Sequence, residues 1–295
     1  MANLKEIKGR ISSITSTQQI TKAMKMVAAA KLRKAQDRII QLRPYSEKLS
    51  GVLQNVSSTL GSETPNPYSE AREVKNVLII SITSDRGLCG GFNANVMKAT
   101  SKLIEKKYKS FQKSGNLEVL PIGSKAHDFF KKRNFKIIDT YANLFTRLTF
   151  ENAREAAEMV MEGFLNKRYD RVEIIYNEFK NVATQIVRTN QFLPLEEKAL
   201  EAGTASQEYD YIFEPEKEEI INLIIPKTLK TSFYKAILES NASEHGARMT
   251  AMDKATDNAG ELLKELKLTY NRTRQAAITT EILEIVGGAE ALSQG

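Results

Sequence analysis

The sequence predicts an α/β protein in which a long helix at each end of the chain flanks a central open α/β domain. Two observations lead to this prediction. Residues from about Leu4 to Leu60 and from about Lys227 to Val286 have helical periodicity with few interruptions. Between them, short apolar runs alternate with amphipathic segments, as in an open sheet with helices on its faces. A helix that enters this domain and a helix that leaves it must run antiparallel if they pair.

The first helix carries an apolar repeat with alternating spacings of three and four, the pattern of a left-handed coiled-coil seam. Its middle is polar, because Gln18, Thr21 and Lys25 stand where Leu or Ile would pack best. Pro44 and Gly51 predict a bend or break near the end of this helix. The seam positions are Leu4, Ile7, Ile11, Ile14, Gln18, Thr21, Lys25, Ala28, Leu32, Ala35, Ile39 and Leu42.

The second helix has a fainter seam, interrupted only by Gly246 and Gly260 before Gly287. At about 1.5 Å per residue it would be roughly 90 Å long, which is more than a small domain can cover. Its end, Ala276 to Val286, is apolar and outruns the first helix. The seam positions are Tyr234, Leu238, Asn241, His245, Arg248, Met252, Ala255, Ala259, Leu262, Leu266, Thr269, Thr273, Ala276, Thr280 and Leu283.

The central domain has the pattern of a Rossmann-like sheet. Its first strand, Asn76 to Thr83, is a continuous apolar run, as expected of a buried parallel strand. The last two strands are separated by a short connection, which predicts an antiparallel pair at the edge of the sheet. The predicted strands cover residues 76–83, 117–122, 135–139, 171–179 and 184–192, and the helices cover residues 94–111, 126–133, 151–167 and 216–225.

We therefore divide the chain into an N-terminal coiled-coil helix (1–60), an α/β globular domain (61–226) and a C-terminal coiled-coil helix (227–295). Residues 61–70 contain Gly and two Pro and read as the turn that follows the first helix. Residues 196–209 are predicted to be a flexible surface loop.

Composition excludes several kinds of site. No run of 18 apolar residues is present, and the N-terminal segment lacks the apolar core of a signal peptide. Cys89 is the single cysteine, so an intrachain disulfide and a cysteine-based metal cluster are excluded. The two histidines, His127 and His245, lie in different regions. We expect no catalytic, cofactor-binding or metal-ligating residue, and no cofactor.

The net charge of +7 is unevenly distributed. Residues 1–45 carry ten Lys or Arg against two acids, a balance of +8, and the remaining residues sum to −1. The positive charge therefore belongs to the first helix, where a solvated surface, an acidic protein partner and nucleic acid are all possible explanations. Because no nucleic-acid-binding motif is present, an acidic protein surface is favoured. The densest cations, a basic collar, are Lys22, Lys25, Lys31, Arg33, Lys34 and Arg38.

The segment Ser84 to Asn93 (SDRGLCGGFN) lies between a strand and a helix, where glycine loops often bind phosphate. Its glycines, however, fit neither GxGxxG nor GxxxxGK[ST], and a structural turn is the favoured interpretation. Two alternatives stay open: an α/β enzyme that binds a phosphate ester or nucleotide at this loop, and a nucleophilic Cys89. A small buried thiol is the commoner state of such a cysteine.

Four segments resemble the gamma-subunit family of F-type ATP synthases: Thr15 to Arg38, Ser84 to Asn93, Ser243 to Leu266 and Tyr270 to Leu292. The resemblance extends over the whole chain. It implies a rotor shaft of the central stalk, without an active site of its own, inside a ring of three alpha and three beta subunits. The α/β domain would contact the epsilon subunit and the ring of c subunits, so that rotation couples ion flow in the membrane sector to ATP synthesis or hydrolysis at the beta sites.

The resemblance also implies partner contacts. The basic collar and Met24 match the family region that faces acidic segments of beta, and Arg274 and Gln275 match a contact with a loop of beta. Arg248 lies in a matching motif further down the second helix. The implied shaft tip, which would sit in a sleeve of the ring, comprises Ile278, Ile282, Leu283 and Val286.

The absence of a transit peptide favours a bacterial subunit, peripheral on the cytoplasmic face of the inner membrane. We expect contact with the membrane only as part of the complex, and none with nucleic acid.

Overall fold

The computed structural model describes residues 4–60, 66–195 and 217–293. It divides into two compact units. Residues up to 28 together with residues from 249 onward form the helix-pair unit, and residues 29–248 form the sheet unit. The helices are α1 (Leu4–Leu60), α2 (Phe92–Lys107), α3 (Lys109–Lys113), α4 (Ser124–Lys131), α5 (Phe150–Leu165) and α6 (Lys217–Ser293). The strands are β1 (Val77–Ile82), β2 (Leu117–Ile122), β3 (Lys136–Ile137), β4 (Arg171–Phe179) and β5 (Gln185–Leu193).

The long terminal helices predicted from the periodicity are confirmed, but neither proline ends a helix. Pro44 lies inside α1, where the predicted break does not occur. Pro226 lies inside α6, which joins the predicted short helix before it to the long helix after it. A proline removes one backbone hydrogen bond, and apolar packing on both sides offsets that loss. Ile225 and Leu229, each 2% exposed, provide this packing around Pro226.

The sheet unit contains one five-stranded sheet of order β3-β2-β1-β4-β5. Strands β1 to β4 are parallel, and β5 pairs antiparallel with β4 at the edge, as predicted. All six residues of β1 are buried because both faces of this central strand are covered by helices. The predicted open α/β sheet is therefore confirmed. Short 3₁₀ helices at Asp139–Tyr141 and Leu144–Arg147, between β3 and α5, were not predicted.

Two hydrophobic cores cover the two faces of the sheet. Alternate residues of β1 point to opposite faces, so Leu78 and Ile80 pack in one core and Val77 and Ile79 in the other. The first core is completed by α5 and by the N-terminal part of α6, including Phe233. The second is completed by α2 and α4. This arrangement fixes α6 on one face of the sheet and α2 with α4 on the other.

In the helix-pair unit, the N-terminal part of α1 and the C-terminal part of α6 are in antiparallel contact. The hydroxyl oxygens of Thr21 and Thr256 lie 2.8 Å apart, and Gln18 Nε2 donates to the carbonyl oxygen of Thr256 at 3.4 Å. Lys25 forms an ion pair with Asp253. The polar positions predicted in the seam of α1 therefore do face the partner helix, where they exchange hydrogen bonds rather than apolar contacts.

Beyond Ala259, the seam predicted for α6 is correct at Leu266 and Thr273 and wrong by one residue at the positions that alternate with them. Leu263 is 8% exposed, whereas the predicted seam residue, Leu262, is 41% exposed. The buried and half-buried positions repeat with spacings of four and three, and include Met252, Thr256, Ala259, Leu263, Leu266, Tyr270, Thr273 and Ala277. Leucines at two adjacent positions fit two phases of the heptad, and contact with α1 selects the second.

Candidate partner-binding surfaces

In the helix-pair unit, the predicted cations differ in exposure and in whether they form an ion pair within the chain. Lys22 is exposed. Lys25 is half-buried, and its ion pair with Asp253 offsets part of its charge. Both side chains of this pair remain more than one-third exposed, so the pair itself contributes little to stability. Lys22 is therefore the stronger candidate for attraction to an acidic partner.

The same part of α1 also presents apolar side chains, near the predicted contact residue Met24. Met24 is half-buried, whereas Met26 is 61% exposed. Ile20 and Val27 are also exposed, at 59% and 56%. Ile20, Met26 and Val27 all lie outside the predicted apolar seam of α1. An apolar residue outside the seam points away from the partner helix, and this was the signal of exposure that the sequence offered. This surface of α1 is thus both apolar and cationic.

Along α6, the side chains of Arg274, Gln275 and every residue from 278 to 290 are exposed. The contacts of Lys25 with Asp253 and of Thr21 with Thr256 fix the register of the two helices. Continued at about 1.5 Å per residue, this register brings the start of α1 opposite about residue 274 of α6. Among the described residues, therefore, none of α1 lies opposite the tip of α6. Its exposed large apolar residues are Ile278, Ile282, Leu283, Ile285 and Val286, of which Ile285 was not predicted.

In the sheet unit, Lys31, Arg33 and Lys34 are exposed on α1, and Arg38 is half-buried. The charge of Lys31 influences the pKa values of two buried side chains of α6, His245 and Glu244. Burial, with the charges of Arg248 and Lys31, lowers the pKa of His245 to about 4. Burial raises the pKa of Glu244, and the nearby Arg248 opposes that shift.

Arg248 differs from the other predicted partner residues because it is engaged within its own chain. Its side chain is 11% exposed, and Nη1 lies 2.5 Å from Glu244 Oε1. Its Nη2 donates to the carbonyl oxygens of Arg86 and Gly87, both at 3.2 Å. Arg248 therefore holds the loop after β1 against α6, and it leaves little surface for another subunit.

The loop from Ser84 to Asn93 is a structural turn whose polar groups bond to one another. Asn93 Oδ1 accepts from the backbone N–H of Ser84 at 2.9 Å, and Asn93 Nδ2 donates to Ser84 Oγ at 2.8 Å. Cys89 is 1% exposed, and burial raises the pKa of its thiol. A buried thiol with a raised pKa is a poor nucleophile. These bonds favour the structural interpretation over a phosphate or nucleophile site.

Neither a metal site nor an enclosed ligand site is evident in the part of the chain that the structure describes. No group of three or more His, Cys, Asp or Glu residues there is placed to hold a metal ion. A cleft of about 450 Å³ lies in the sheet unit between α1, α6 and the β4–β5 hairpin. Two of its carboxylates are already paired, Glu239 with Arg43 and Glu178 with Arg188. No described helix is long and apolar enough to cross a membrane.

The sequence matches known proteins along nearly its whole length. A profile of the ATP synthase family matches residues 3–292. The chain is 60% identical to the ATP synthase gamma chain of Cytophaga hutchinsonii over 294 residues, covering 99% of this chain and all of that protein. This chain belongs to the ATP synthase gamma chain family. The gamma chain of Flavobacterium psychrophilum is 55% identical and covers 99% of both chains.

Solved structures of this family have the same fold. A chain of the Tetrahymena thermophila mitochondrial ATP synthase central stalk and c-ring superposes with a TM-score of 0.57 at 27% identity, covering 80% of this chain and 99% of that one. A chain of the Euglena gracilis mitochondrial ATP synthase, in a structure with OSCP, F1 and c-ring, gives 0.68 at 23% identity, covering 98% and 94%. The fold of this chain, with its long terminal helices and mixed sheet, is therefore also found in these chains of solved ATP synthases.

Proposed function

We propose that this chain is the central-stalk rotor subunit of a bacterial F-type ATP synthase. It rotates inside a ring of alpha and beta subunits and couples ion flow through the membrane sector to ATP synthesis or hydrolysis at the beta sites. The observation that carries the proposal is the end of α6 beyond its contact with α1, where five large apolar side chains are exposed: Ile278, Ile282, Leu283, Ile285 and Val286. Large apolar side chains exposed together in this way mark a surface that binds another protein.

The helix-pair unit suits a rotor because its outward surface is asymmetric. Its α1 part presents Lys22 together with the exposed apolar Met26 and Val27, whereas α6 presents Arg274 and Gln275. A shaft that turns these different surfaces toward three identical beta subunits stabilises a different conformation in each. Attraction between exposed charges is weak and non-directional. The contacts with one beta subunit can therefore break and form again with the next beta subunit as the shaft rotates.

The proposed partner contacts are those that the family resemblance implies, and the exposure of most of these side chains supports them. Exposed Lys22, Lys31, Arg33 and Lys34, with the less accessible Lys25 and Arg38, face acidic segments of beta, and Met24 lies beside them. Arg274 and Gln275 contact a loop of beta. The apolar tip enters a sleeve at the top of the ring. Arg248 contributes indirectly, since it fixes the loop after β1 that lies on the same unit.

The chain itself is not an enzyme in this proposal, because catalysis belongs to the beta subunits. Its sheet unit contacts the epsilon subunit and the c-ring, and the complex is peripheral on the cytoplasmic face of the inner membrane. The bonded loop after β1 supports this assignment, since it offers no open phosphate cradle.

Assembly with alpha and beta tests the proposal. The full chain, mixed with both subunits, should form a complex with ATPase activity that alpha and beta alone lack under the same conditions. The purified chain alone is also tested for binding of a phosphate ester, which the alternative enzyme hypothesis predicts and the rotor hypothesis does not. Failure to form a complex, or an ATPase activity that is indifferent to this chain, would contradict the rotor function.

A further inference from the structure

Five exposed lysines lie along α2 and α3 on one face of the sheet. Three of them, Lys98, Lys102 and Lys106, follow one another at spacings of four in α2, and so lie in a row on one side of the helix. Lys109 follows Lys106 by three residues, and Lys113 follows Lys109 by four in α3. We call these five residues the basic helix face. The buried residues of α2, which include Val96 and Ile104, point to the core instead.

This face carries charge that the chain itself does not neutralise. Like charges at spacings of four destabilise a helix. Among the described residues, Lys107 pairs with the buried Glu173 at 2.8 Å, but no carboxylate lies within ion-pair distance of the five lysines. Lys107 therefore has a structural role, because it neutralises a buried carboxylate. The other five extend into solvent, so their repulsion is relieved only by something outside the chain.

The net charge of the chain does not reveal the positive charge of residues 92–136, because an excess of acids elsewhere offsets it. Residues 92–136 carry eleven Lys or Arg against three acids, a balance of +8. This equals the balance of residues 1–45, and the remainder of the chain sums to −9. Lys131, the last residue of α4, and Lys132 and Arg133 directly after it are exposed, and α4 packs in the same core cluster as α2. Residues 92–136 are therefore a second concentration of positive charge, separate from that of α1, and α2 and α4 place it on one face of the sheet.

The residue types favour a phospholipid surface over a folded acidic protein. The basic helix face contains lysine and no arginine, and lysine is a hydrated point charge without the planar fork that pairs with carboxylates. Polybasic segments of this kind are attracted to anionic lipid. Half-buried aromatic rings lie next to the cations, Phe111 in α3 and Phe129 in α4. Such rings suit the head-group region of a bilayer.

We propose that the basic helix face binds anionic phospholipid head groups on the membrane surface when the chain is part of the assembled complex. The inference rests on the proposed function, which places this chain in a complex attached to the membrane. Attraction to a fluid lipid surface is diffuse, and it falls off within about 10 Å at ordinary salt. It therefore holds this face of the subunit toward the bilayer without fixing it to one point, which a rotating subunit requires.

Vesicle binding by the purified complex with alpha and beta tests this proposal. The test variant replaces Lys102, Lys106 and Lys109 with Gln. A matched control, in the same sheet unit, replaces exposed Lys48, Lys75 and Lys180 with Gln, so that both variants lose the same charge. Binding is measured with vesicles of phosphatidylcholine, with and without phosphatidylglycerol, and poly-L-glutamate is the probe for an acidic protein partner.

We expect the unmodified complex to prefer vesicles that contain phosphatidylglycerol. Each lysine at such a surface contributes about fivefold in affinity, so the test variant should lose on the order of a hundredfold and the control much less. Equal binding to both kinds of vesicle, or equal losses in both variants, would overturn the proposal. So would tight binding of poly-L-glutamate without vesicle binding. Complexes with normal ATPase activity that fail to bind vesicles would refute this inference and leave the rotor function standing.

Discussion

Arg43 of α1 and Glu239 of α6 form an ion pair in which two guanidinium nitrogens bond the same carboxylate oxygen, at 2.9 and 3.1 Å. The side chain of Glu239 is 3% exposed, and its other oxygen accepts from the backbone N–H of Phe179 at 3.0 Å. This carboxylate therefore ties α1, α6 and the end of β4 together inside the sheet unit.

Replacing Arg43 with Leu should lower the free energy of unfolding, because it leaves the buried charge of Glu239 without its cation. Loss of one partner of a fully buried pair costs about 3–5 kcal/mol, and the 40% exposure of Arg43 reduces this to about 2 kcal/mol. Urea unfolding of the full chain measures the difference. Arg188→Leu is the control, since its partner Glu178 is 36% exposed, and we expect a loss below about 1 kcal/mol. Equal losses would contradict the structural role of Glu239.

Gly123, just after β2, should tolerate no side chain. Its φ is +99°, and a Cβ atom there would lie 2.3 Å from the carbonyl oxygen of Thr83. Gly123→Ala should therefore lower the free energy of unfolding by about 3 kcal/mol or more. Gly115 also has a positive φ, +77°, but nothing lies within 4 Å of its Cβ position. Gly115→Ala should cost only about 1 kcal/mol in the same measurement. Similar losses for both would show that backbone conformation alone matters here.

His245 should make stability depend on pH in the acidic range. The folded chain holds it neutral with a pKa of about 4, against an ordinary value of 6.5. As the pH falls below 6.5, the unfolded chain binds a proton that the folded chain does not, and the free energy of unfolding therefore decreases. Between pH 7 and pH 5 the loss should be about 2 kcal/mol.

The variant His245→Gln should lose this pH dependence, as measured by urea unfolding at the two pH values. Glu244 acts in the opposite direction, because its raised pKa stabilises the folded chain at low pH, and it remains in both proteins. An unchanged pH dependence in the variant would assign the effect to other groups.

Reversing the charge at Lys22 and Lys25 should impair coupling more than assembly. The double variant Lys22→Glu, Lys25→Glu should assemble with alpha and beta, while ATP synthesis or ion pumping falls severalfold relative to ATP hydrolysis. Charge attraction to beta becomes repulsion in this variant. Lys264→Glu on α6, also exposed in the helix-pair unit, is the control. If Lys264→Glu lowers coupling as much as the double variant does, the effect does not depend on a position in the basic collar.

Periodicity predicted the fold well because hydrophobic burial follows helix and strand repeats closely. The bounds of β2 and β4 agree with the prediction to the residue. Local propensity was less reliable where packing decides the outcome. Pro226 does not end α6, and Leu263 rather than Leu262 faces α1. Neither result depends on nearby sequence alone, since both follow from contacts with distant residues.

The partner surfaces were only partly predictable. Exposure of the tip followed from the unequal lengths of the two helices, but Ile285 was missed. The engagement of Arg248 with the carbonyl oxygens of Arg86 and Gly87 joins residues far apart in sequence, and no local pattern indicates it. The basic helix face was missed because charge was summed over the whole remainder of the chain. A local sum over residues 92–136 would have found it.

Direct observation of rotation tests the rotor function most sharply. The complex with alpha and beta is fixed to a surface through beta, and a visible probe is attached to this chain at Lys106, which is exposed in the sheet unit. On addition of ATP, we predict that the probe turns in one direction in three steps per revolution. Hydrolysis of ATP by the same immobilised complexes, with the probe stationary or moving without direction, would contradict the account.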